Sequence, residues 1–241
     1  MQLLRASELH LGKNIFLRRC ALLKRLFSVL SNFRVLIWEK IKPGAEFEKA
    51  THFWAHLDSY HLTNDTDPIS IARSRWISKD IVPLVNPSRF LEIGCNSGRN
   101  LFYLQQDYPN MELKGIDVNQ GAINFAIQSK PNISFELADA NNWSEPENRW
   151  DCSLTMSVID HIPEDAAQHL AKNISMSSRS VIGVELWDGS NGKRALYKYS
   201  CNLKELYEAV GFTTIYWEQV PHELQYDSEK SLLWVYVGQR K

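Results

Sequence analysis

The chain has 241 residues, of which 27 are Lys or Arg, 28 are Asp or Glu and 44% are hydrophobic. This length allows one large α/β domain with an appendage, or two small domains, and either arrangement leaves enough chain for a sizeable core. The longest stretch without a charged residue, Val118 to Ser129, has 12 residues and is too short to cross a membrane. The net charge of −1 argues against a protein that coats nucleic acid, because such proteins are usually strongly basic.

The four cysteines, Cys20, Cys95, Cys152 and Cys201, are scattered and form no C-x-x-C pair. This pattern indicates neither a zinc site nor a disulfide framework, and it is typical of a reducing compartment. We therefore predict no metal site and a cytoplasmic location.

Residues 1–42 differ from the rest of the chain in charge. They contain nine basic and two acidic residues, a charge of +7, so the remaining residues carry −8. Apolar residues recur there every three or four positions, which predicts an amphipathic helical extension. Three interpretations stay open: its apolar face packs on the body, its basic face contacts an anionic membrane, or it is a mitochondrial targeting segment. A secretory signal is disfavoured, because Arg18, Arg19 and Arg25 interrupt any apolar region.

The Pro43-Gly44 pair marks a break, after which residues 43–88 are predicted to form a helical cap or lid, with a helix over 69–84 that Asp67 or Ser70 caps. From residue 89 to 241, short apolar β-branched runs alternate with helical patterns. Strands are predicted at 90–94, 113–118, 133–137, 150–157 and 181–186, with helices at 99–107 and 121–128. This alternation predicts a doubly wound parallel sheet. The runs 212–220 and 231–238 predict a final antiparallel strand pair at its edge.

Small residues concentrate where the first of these strands ends, in Leu91-Glu92-Ile93-Gly94-Cys95-Asn96-Ser97-Gly98. A turn of this kind between a strand and a helix lets the backbone and its N–H groups approach a nucleotide-like ligand at the carboxyl edge of the sheet. The dinucleotide pattern G-x-G-x-x-G is not met, which disfavours an NAD enzyme. The next strand ends in Asp117, where a carboxylate can accept both hydroxyls of a ribose.

From about residue 89 to the C-terminus, the sequence resembles the class I S-adenosylmethionine-dependent methyltransferases. LEIGCNSG is similar to the family's first motif, E/D-x-G-x-G-x-G, with Asn96 in place of the central glycine. Asn96 is a mild departure, because asparagine tolerates a left-handed backbone. The segments GIDVN, Ala138-Asp139-Ala140 and the run from Trp150 to Ile162 resemble the family's next three motifs.

The resemblance implies a Rossmann-like seven-stranded sheet, S-adenosylmethionine as cofactor, and a set of cofactor-binding residues. Asp117 would bind the ribose, and Asp139 and Ala140 would contact the adenine. Met156 would form part of the floor beneath the methionine portion of the cofactor. Glu92 would support the turn or the cofactor's amino group. The implied set is Glu92, Gly94, Cys95, Asn96, Gly98, Asp117, Val118, Asp139, Ala140 and Met156. Arg73 and Arg75 are both available to pair with the cofactor's carboxylate, and we take Arg75 as the cofactor ligand.

His161 is the predicted general base, with Asp160 of equal standing, because both follow the fourth strand, where a side chain can face the reacting methyl. The alternative is that His161 only caps or packs at a helix start. Substrate contacts are predicted in the segment before Pro87, with Trp54, Tyr60, His61 and Trp76, and in the loop 187–199, with Trp187, Asp188, Arg194, Tyr197 and Tyr199. These rings would form a partly apolar lid over a small organic acceptor, or simply cover the core.

The leading functional hypothesis is methyl transfer to an oxygen or nitrogen of a small molecule. A second is a cofactor-binding partner subunit without catalysis, and a third is a nucleotide-dependent oxidoreductase. Nucleic acid is disfavoured as a partner, and neither the acceptor nor the oligomeric state follows from the sequence.

Overall fold

The computed structural model describes residues 46–57, 65–226 and 232–240, and the extension predicted over residues 1–42 lies outside them. The strands are β1 Arg89–Ile93, β2 Glu112–Asp117, β3 Ser134–Leu137, β4 Trp150–Met156, β5 Ser178–Leu186, β6 Gly192–Ala195, β7 Lys198–Ser200, β8 Thr213–Gln219 and β9 Leu233–Gln239. The helices are α1 Glu46–Ala55, α2 Pro68–Trp76, α3 Arg99–Asp107, α4 Gln120–Ser129, α5 Glu164–Ser177 and α6 Leu203–Glu208.

Seven strands form one sheet in the order β3-β2-β1-β4-β5-β9-β8. The first five are parallel to one another, and β9 runs antiparallel to both β5 and β8. The predicted Rossmann-like sheet with a C-terminal antiparallel pair is therefore confirmed. The chain reverses its direction of winding between β1 and β4, and this switch point is where open α/β sheets bind ligands.

The central strands are buried on both faces, as parallel strands covered by helices should be. In β1, Phe90 packs into the apolar cluster on one face, and Leu91 and Ile93 pack into the cluster on the other. All three side chains are fully buried. This burial fixes the direction of β1, and with it the position of the turn that follows.

The helix predicted over 69–84 changes its geometry partway. Asp67 caps it, since its Oδ2 accepts a hydrogen bond from the Ser70 amide at 2.7 Å. The α-helix ends at Trp76, and a π-helical turn, Ile77–Ile81, and a 3-10 turn, Val82–Leu84, follow. Pro83 has no N–H to donate, so the α-helical ladder could not have continued through the end of the predicted range.

The loop predicted over 187–199 contains the hairpin β6–β7, which sequence periodicity did not reveal. Its strands have only four and three residues, and most of their side chains are exposed. Such short strands carry no apolar alternation from which a strand can be predicted. Along the part of the chain that the structure describes, no helix is both long and apolar enough to cross a bilayer.

Candidate functional site

A cavity opens at the carboxyl ends of β1, β2 and β4, and α1 and α2 lie along its rim. Residues predicted from the sequence that line it are Glu92, Gly94, Cys95, Asn96, Asp117, Val118, Asp139, Ala140, Met156 and His161. Residues of the lining that were not predicted as ligands include Thr51, Leu57, Ser70, Arg99, Asn100, Asn119, Asn141, Ser157, Val158 and Tyr226. The topology thus brings most of the predicted set together. Among the described residues, no cluster of side chains is suited to hold a metal ion.

The turn from Gly94 to Gly98 forms the floor of the cavity through its shape. Gly94, Asn96 and Gly98 all have left-handed backbones, with φ of 72°, 50° and 76°. The turn's N–H groups already have protein acceptors: Gly94 and Cys95 donate to the Ile116 carbonyl, and Gly98 donates to the Cys95 carbonyl. The expectation that these N–H groups serve a ligand is therefore wrong. Gly98, the last residue of the turn, does not line the cavity. Its lack of a side chain lets the backbone lie close to the Phe135 ring.

Asp117 stands at the end of β2 with its carboxylate in the cavity wall. Its Oδ2 accepts a hydrogen bond from the Asn96 amide, and its Oδ1 accepts one from the Asn119 amide, both at 2.8 Å. Burial raises the pKa of Asp117 from its ordinary value, while these N–H donors act in the opposite direction. The Val118 amide also acts on this carboxylate, and a carboxylate has about four acceptor positions, so capacity remains for a hydrogen bond from a ligand.

Glu92 lies at the bottom of the cavity and is 2% exposed. Its Oε1 accepts a hydrogen bond from Asn100 Nδ2 at 2.6 Å. Its Oε2 has no hydrogen-bond partner among the described residues. Burial raises the pKa of Glu92 from 4.5 to about 8. Near neutral pH it is thus mainly a neutral acid, with one oxygen available to a ligand.

We predict that Glu92→Gln flattens the pH dependence of stability. Between pH 4.5 and about 8 the folded protein holds a proton on Glu92 that the unfolded chain has released. The free energy of unfolding therefore falls as the pH rises through this window, by up to about 1.4 kcal/mol per pH unit from this group.

Glutamine resembles the neutral acid, so the variant should lose less stability between pH 5 and pH 8. Urea unfolding at both pH values measures this, with the exposed Glu147→Gln as control, and equal losses in wild type and Glu92→Gln would contradict it.

Two arginines of α2 have opposite environments. Arg73 is 3% exposed and lines the cavity, and its Nε donates to the Leu224 carbonyl at 2.9 Å. Arg75 is exposed, and its guanidinium lies 5.1 Å from the ring centre of Tyr103 on the outside of the protein. The geometry therefore does not support the prediction that Arg75 is a cofactor ligand, and Arg73 is the arginine of α2 that lines the cavity. Helical periodicity puts these residues about 200° apart, but the sequence alone did not show which one faces the sheet.

The loop after β3 brings Asp139 and Ala140 to the cavity wall. Asp139 Oδ1 accepts hydrogen bonds from the Asn141 amide at 3.1 Å and from Asn141 Nδ2 at 2.8 Å. Its Oδ2 is 3.3 Å from Asn142 Nδ2. The carboxylate therefore organises its own loop as well as facing the cavity.

His161 lines the cavity with its ring held on two sides. Its Nδ1 donates to the Tyr197 carbonyl at 2.9 Å, and its Nε2 lies 3.5 Å from Asp160 Oδ1. The Trp54 ring covers it, with 4.3 Å between ring centres. Asp160 is 1% exposed and lies outside the cavity lining, so it can act on a ligand only through His161.

Glu185, on β5, is a second buried carboxyl group behind His161, and the sequence reasoning missed it. It is fully buried, and its oxygens accept hydrogen bonds from the amides of Val158 and Asp160 at 2.9 and 3.2 Å. Burial and the neighbouring Asp160 raise its pKa well above the ordinary value. An acid inside the apolar run Val181 to Leu186 was the available signal.

Of the residues predicted to contact substrate, some line the cavity and others lie away from it. Trp54 lines the cavity, while Trp187 packs with Trp217 and Trp234 away from it, and Tyr60 and His61 lie outside the described residues. Tyr197 supports the site from behind through His161. Tyr226, which was not predicted, reaches the cavity from the connection after β8 and hydrogen-bonds Ser70 Oγ at 2.7 Å.

Comparisons with known proteins agree with this geometry. A family model described as a methyltransferase domain matches residues 90–179. Trans-aconitate 2-methyltransferase of Methylobacterium radiotolerans is 29% identical over 85 residues, which are 35% of this chain and 32% of that protein. Phosphoethanolamine N-methyltransferase 3 of Arabidopsis thaliana is 28% identical over 92 residues, which are 36% of this chain and 19% of that protein. The chain thus spans about a third or less of the length of these curated relatives.

Among solved structures, the fold is similar to that of 1,6-didemethyltoxoflavin-N1-methyltransferase from Burkholderia thailandensis, which holds 1,6-didemethyltoxoflavin and S-adenosylhomocysteine. The TM-score is 0.63 at 18% identity, covering 83% of this chain and 92% of that chain. At this identity the likeness concerns the fold.

Proposed function

We propose that this chain, whose residues 90–179 match the methyltransferase-domain model, is a class I S-adenosylmethionine-dependent methyltransferase that transfers a methyl group to an oxygen or nitrogen of a small-molecule acceptor. The match supports the predicted family, and with it the family's cofactor. The observation that carries the proposed activity is the Asp117 carboxylate at the switch point of the sheet, in one cavity with Glu92 and His161.

The residues of the cavity fit an adenosyl amino acid. The Asp117 carboxylate suits the two ribose hydroxyls, because it has acceptor capacity left after its bonds to Asn96 and Asn119. The unpartnered Oε2 of Glu92 could accept a hydrogen bond from the ammonium group, and this cation would favour the ionised form of the buried acid. The buried guanidinium of Arg73 suits the carboxylate. Asp139 and Ala140 would then face the adenine.

S-adenosylmethionine would supply a methyl group on a sulfonium, which is already activated for displacement. The protein would align the acceptor with this methyl group and exclude water from it. Val158 and Ile162 offer an apolar wall next to His161 for this purpose. His161 is the proposed group that takes the acceptor's proton, with Asp160 as a positioning group behind it.

The acceptor class is proposed as a small organic molecule. The names of two relatives describe methyltransferases of trans-aconitate, an organic acid, and of phosphoethanolamine, an amine that is methylated on nitrogen. An acid is deprotonated at neutral pH and needs no base. An acceptor that carries a proton would give it to His161 Nε2, because Nδ1 already donates to the Tyr197 carbonyl. A non-catalytic cofactor-binding subunit stays as the alternative.

We predict that Arg73→Lys weakens binding of S-adenosylhomocysteine by about tenfold, which corresponds to the loss of a charge-assisted hydrogen bond. Binding of 5′-methylthioadenosine should change less than about threefold, because this compound lacks the amino-acid carboxylate. Arg75→Lys is the matched control on the same helix and should change neither affinity, since Arg75 is exposed. Equal losses for both ligands in Arg73→Lys would show that Arg73 only supports the fold.

The test of the proposed function is a calorimetric titration with S-adenosylmethionine, S-adenosylhomocysteine and NAD, followed by a turnover assay on carboxylic acids and amines. Micromolar binding of the adenosyl compounds together with S-adenosylhomocysteine release is the expected result. Binding without turnover on any acceptor favours the non-catalytic subunit, and preference for NAD favours an oxidoreductase.

A further inference from the structure

Asn119 connects the ribose end of the cavity to helix α1. Its backbone amide donates to Asp117 Oδ1, and its side-chain Oδ1 caps α4 by accepting from the Ala122 amide at 2.9 Å. Its Nδ2 donates to the carbonyls of Trp54 and Leu57, at 2.9 and 3.1 Å. The Asn119 side chain therefore accepts a hydrogen bond from the first turn of α4 and donates hydrogen bonds to two backbone carbonyls at the end of α1.

The Trp54 carbonyl lies in the last turn of α1, where it also accepts from the Leu57 amide at 3.4 Å, and the Leu57 carbonyl follows two residues after the helix ends. Carbonyls at a helix end have few partners within the helix, so donors from elsewhere in the chain help to satisfy them. The described contacts of α1 with the rest of the protein are otherwise mainly between rings: Trp54 lies against His161, and Phe53 lies 5.4 Å from Tyr197. Trp54 and Leu57 both line the cavity. Asn119 thus contributes two hydrogen bonds to this wall of the cavity, beside the ring contacts.

We propose that Asn119 is a positioning residue that couples cofactor binding to the docking of α1 over the cavity. This inference rests on the proposed function, since it takes the adenosyl cofactor as the ligand at Asp117. A ribose bound to Asp117 would fix the segment 117–119, and a fixed Asn119 holds the end of α1 against His161. By linkage, a docked α1 strengthens cofactor binding by the same factor.

The test uses Asn119→Asp and Asn119→Ser, because both residues also cap helices. Aspartate has no donor for the two carbonyls, and serine has a single hydroxyl on a shorter side chain, which cannot replace both hydrogen bonds. Serine introduces no charge beside Asp117, so agreement between the two variants excludes a charge effect. Asn202→Ser is the matched control, since Asn202 caps α6 in the same way away from the cavity. All variants are compared by thermal unfolding, by affinity for S-adenosylhomocysteine and by hydrogen exchange of residues 46–57.

We expect S-adenosylhomocysteine to bind about tenfold more weakly to both Asn119 variants, as the loss of two hydrogen bonds implies. In the wild type the ligand should slow amide exchange in α1, and in the variants this protection should be lost. If Asn119 were only a structural cap, its variants would have a lower melting temperature, but the ligand would still slow amide exchange in α1. We expect this result for Asn202→Ser.

Unchanged affinity in the Asn119 variants overturns the coupling, even if α1 exchanges faster. A wild type that binds no adenosyl compound overturns the proposed function instead. The two failures are distinguishable, because exchange in the free protein still reports whether Asn119 docks α1.

Discussion

Asp117→Ala should weaken binding of S-adenosylhomocysteine by at least about 100-fold. The carboxylate lies at the end of β2 with two oxygens facing the proposed ribose, and hydrogen bonds to a charged group contribute about 1.5–3 kcal/mol each. Two such bonds correspond to about 100- to 10,000-fold in affinity. The substitution also removes the acceptor for the amides of Asn96 and Asn119, which shapes the turn. Calorimetry on purified variant and wild type measures the effect.

Asp80→Ala is the control, because Asp80 is an exposed acid on the π-helical turn and does not line the cavity. It should bind S-adenosylhomocysteine like the wild type. Asp117→Asn adds a graded comparison, since it keeps acceptor capacity but loses the charge, and its affinity should fall between the two. A folded Asp117→Ala that binds within threefold of wild type would remove Asp117 from the ribose site.

The fold could be predicted from the sequence because its elements are set by local patterns. Buried runs such as Phe90 to Ile93, and turn residues after them, mark strands whatever the rest of the chain does. Helix α3 begins and ends where the sequence predicted. The hairpin β6–β7 was missed because its pairing, rather than its composition, defines it.

The candidate site was predictable where its residues sit at strand ends. Asp117 follows from the order of the strands, because the carboxyl ends of parallel strands meet at one edge, whereas Glu92 and Asp139 were implied by the family resemblance. Tyr226 and Asn119 depend on contacts between distant parts of the chain: Tyr226 with Ser70, and Asn119 with Trp54. Single-sequence patterns contain no information about such pairs, and the choice between Arg73 and Arg75 needed the orientation of α2.

Gly98→Ala should destabilise the protein by about 2–5 kcal/mol. An added Cβ would lie 2.5 Å from Cζ of Phe135, and the residue has φ of 76°, which is unfavourable for alanine. The left-handed backbone costs about 1–2 kcal/mol and overpacking about 1–3 kcal/mol. Binding of S-adenosylhomocysteine should also fall, because the turn shapes the floor of the cavity. Urea unfolding and calorimetry measure the two effects.

The backbone and packing contributions at Gly98 can be separated with two controls. Gly211→Ala carries a similar backbone cost, at φ of 95°, but an added Cβ meets no atom within 4 Å, so it should cost only about 1–2 kcal/mol. In a Phe135→Ala background the clash is gone, and Gly98→Ala should then cost about as much as Gly211→Ala. This non-additivity is the signature of direct contact between two residues. If Gly98→Ala costs the same with and without the Phe135 ring, close approach to β3 is not the reason for a glycine here, and the left-handed turn alone requires it.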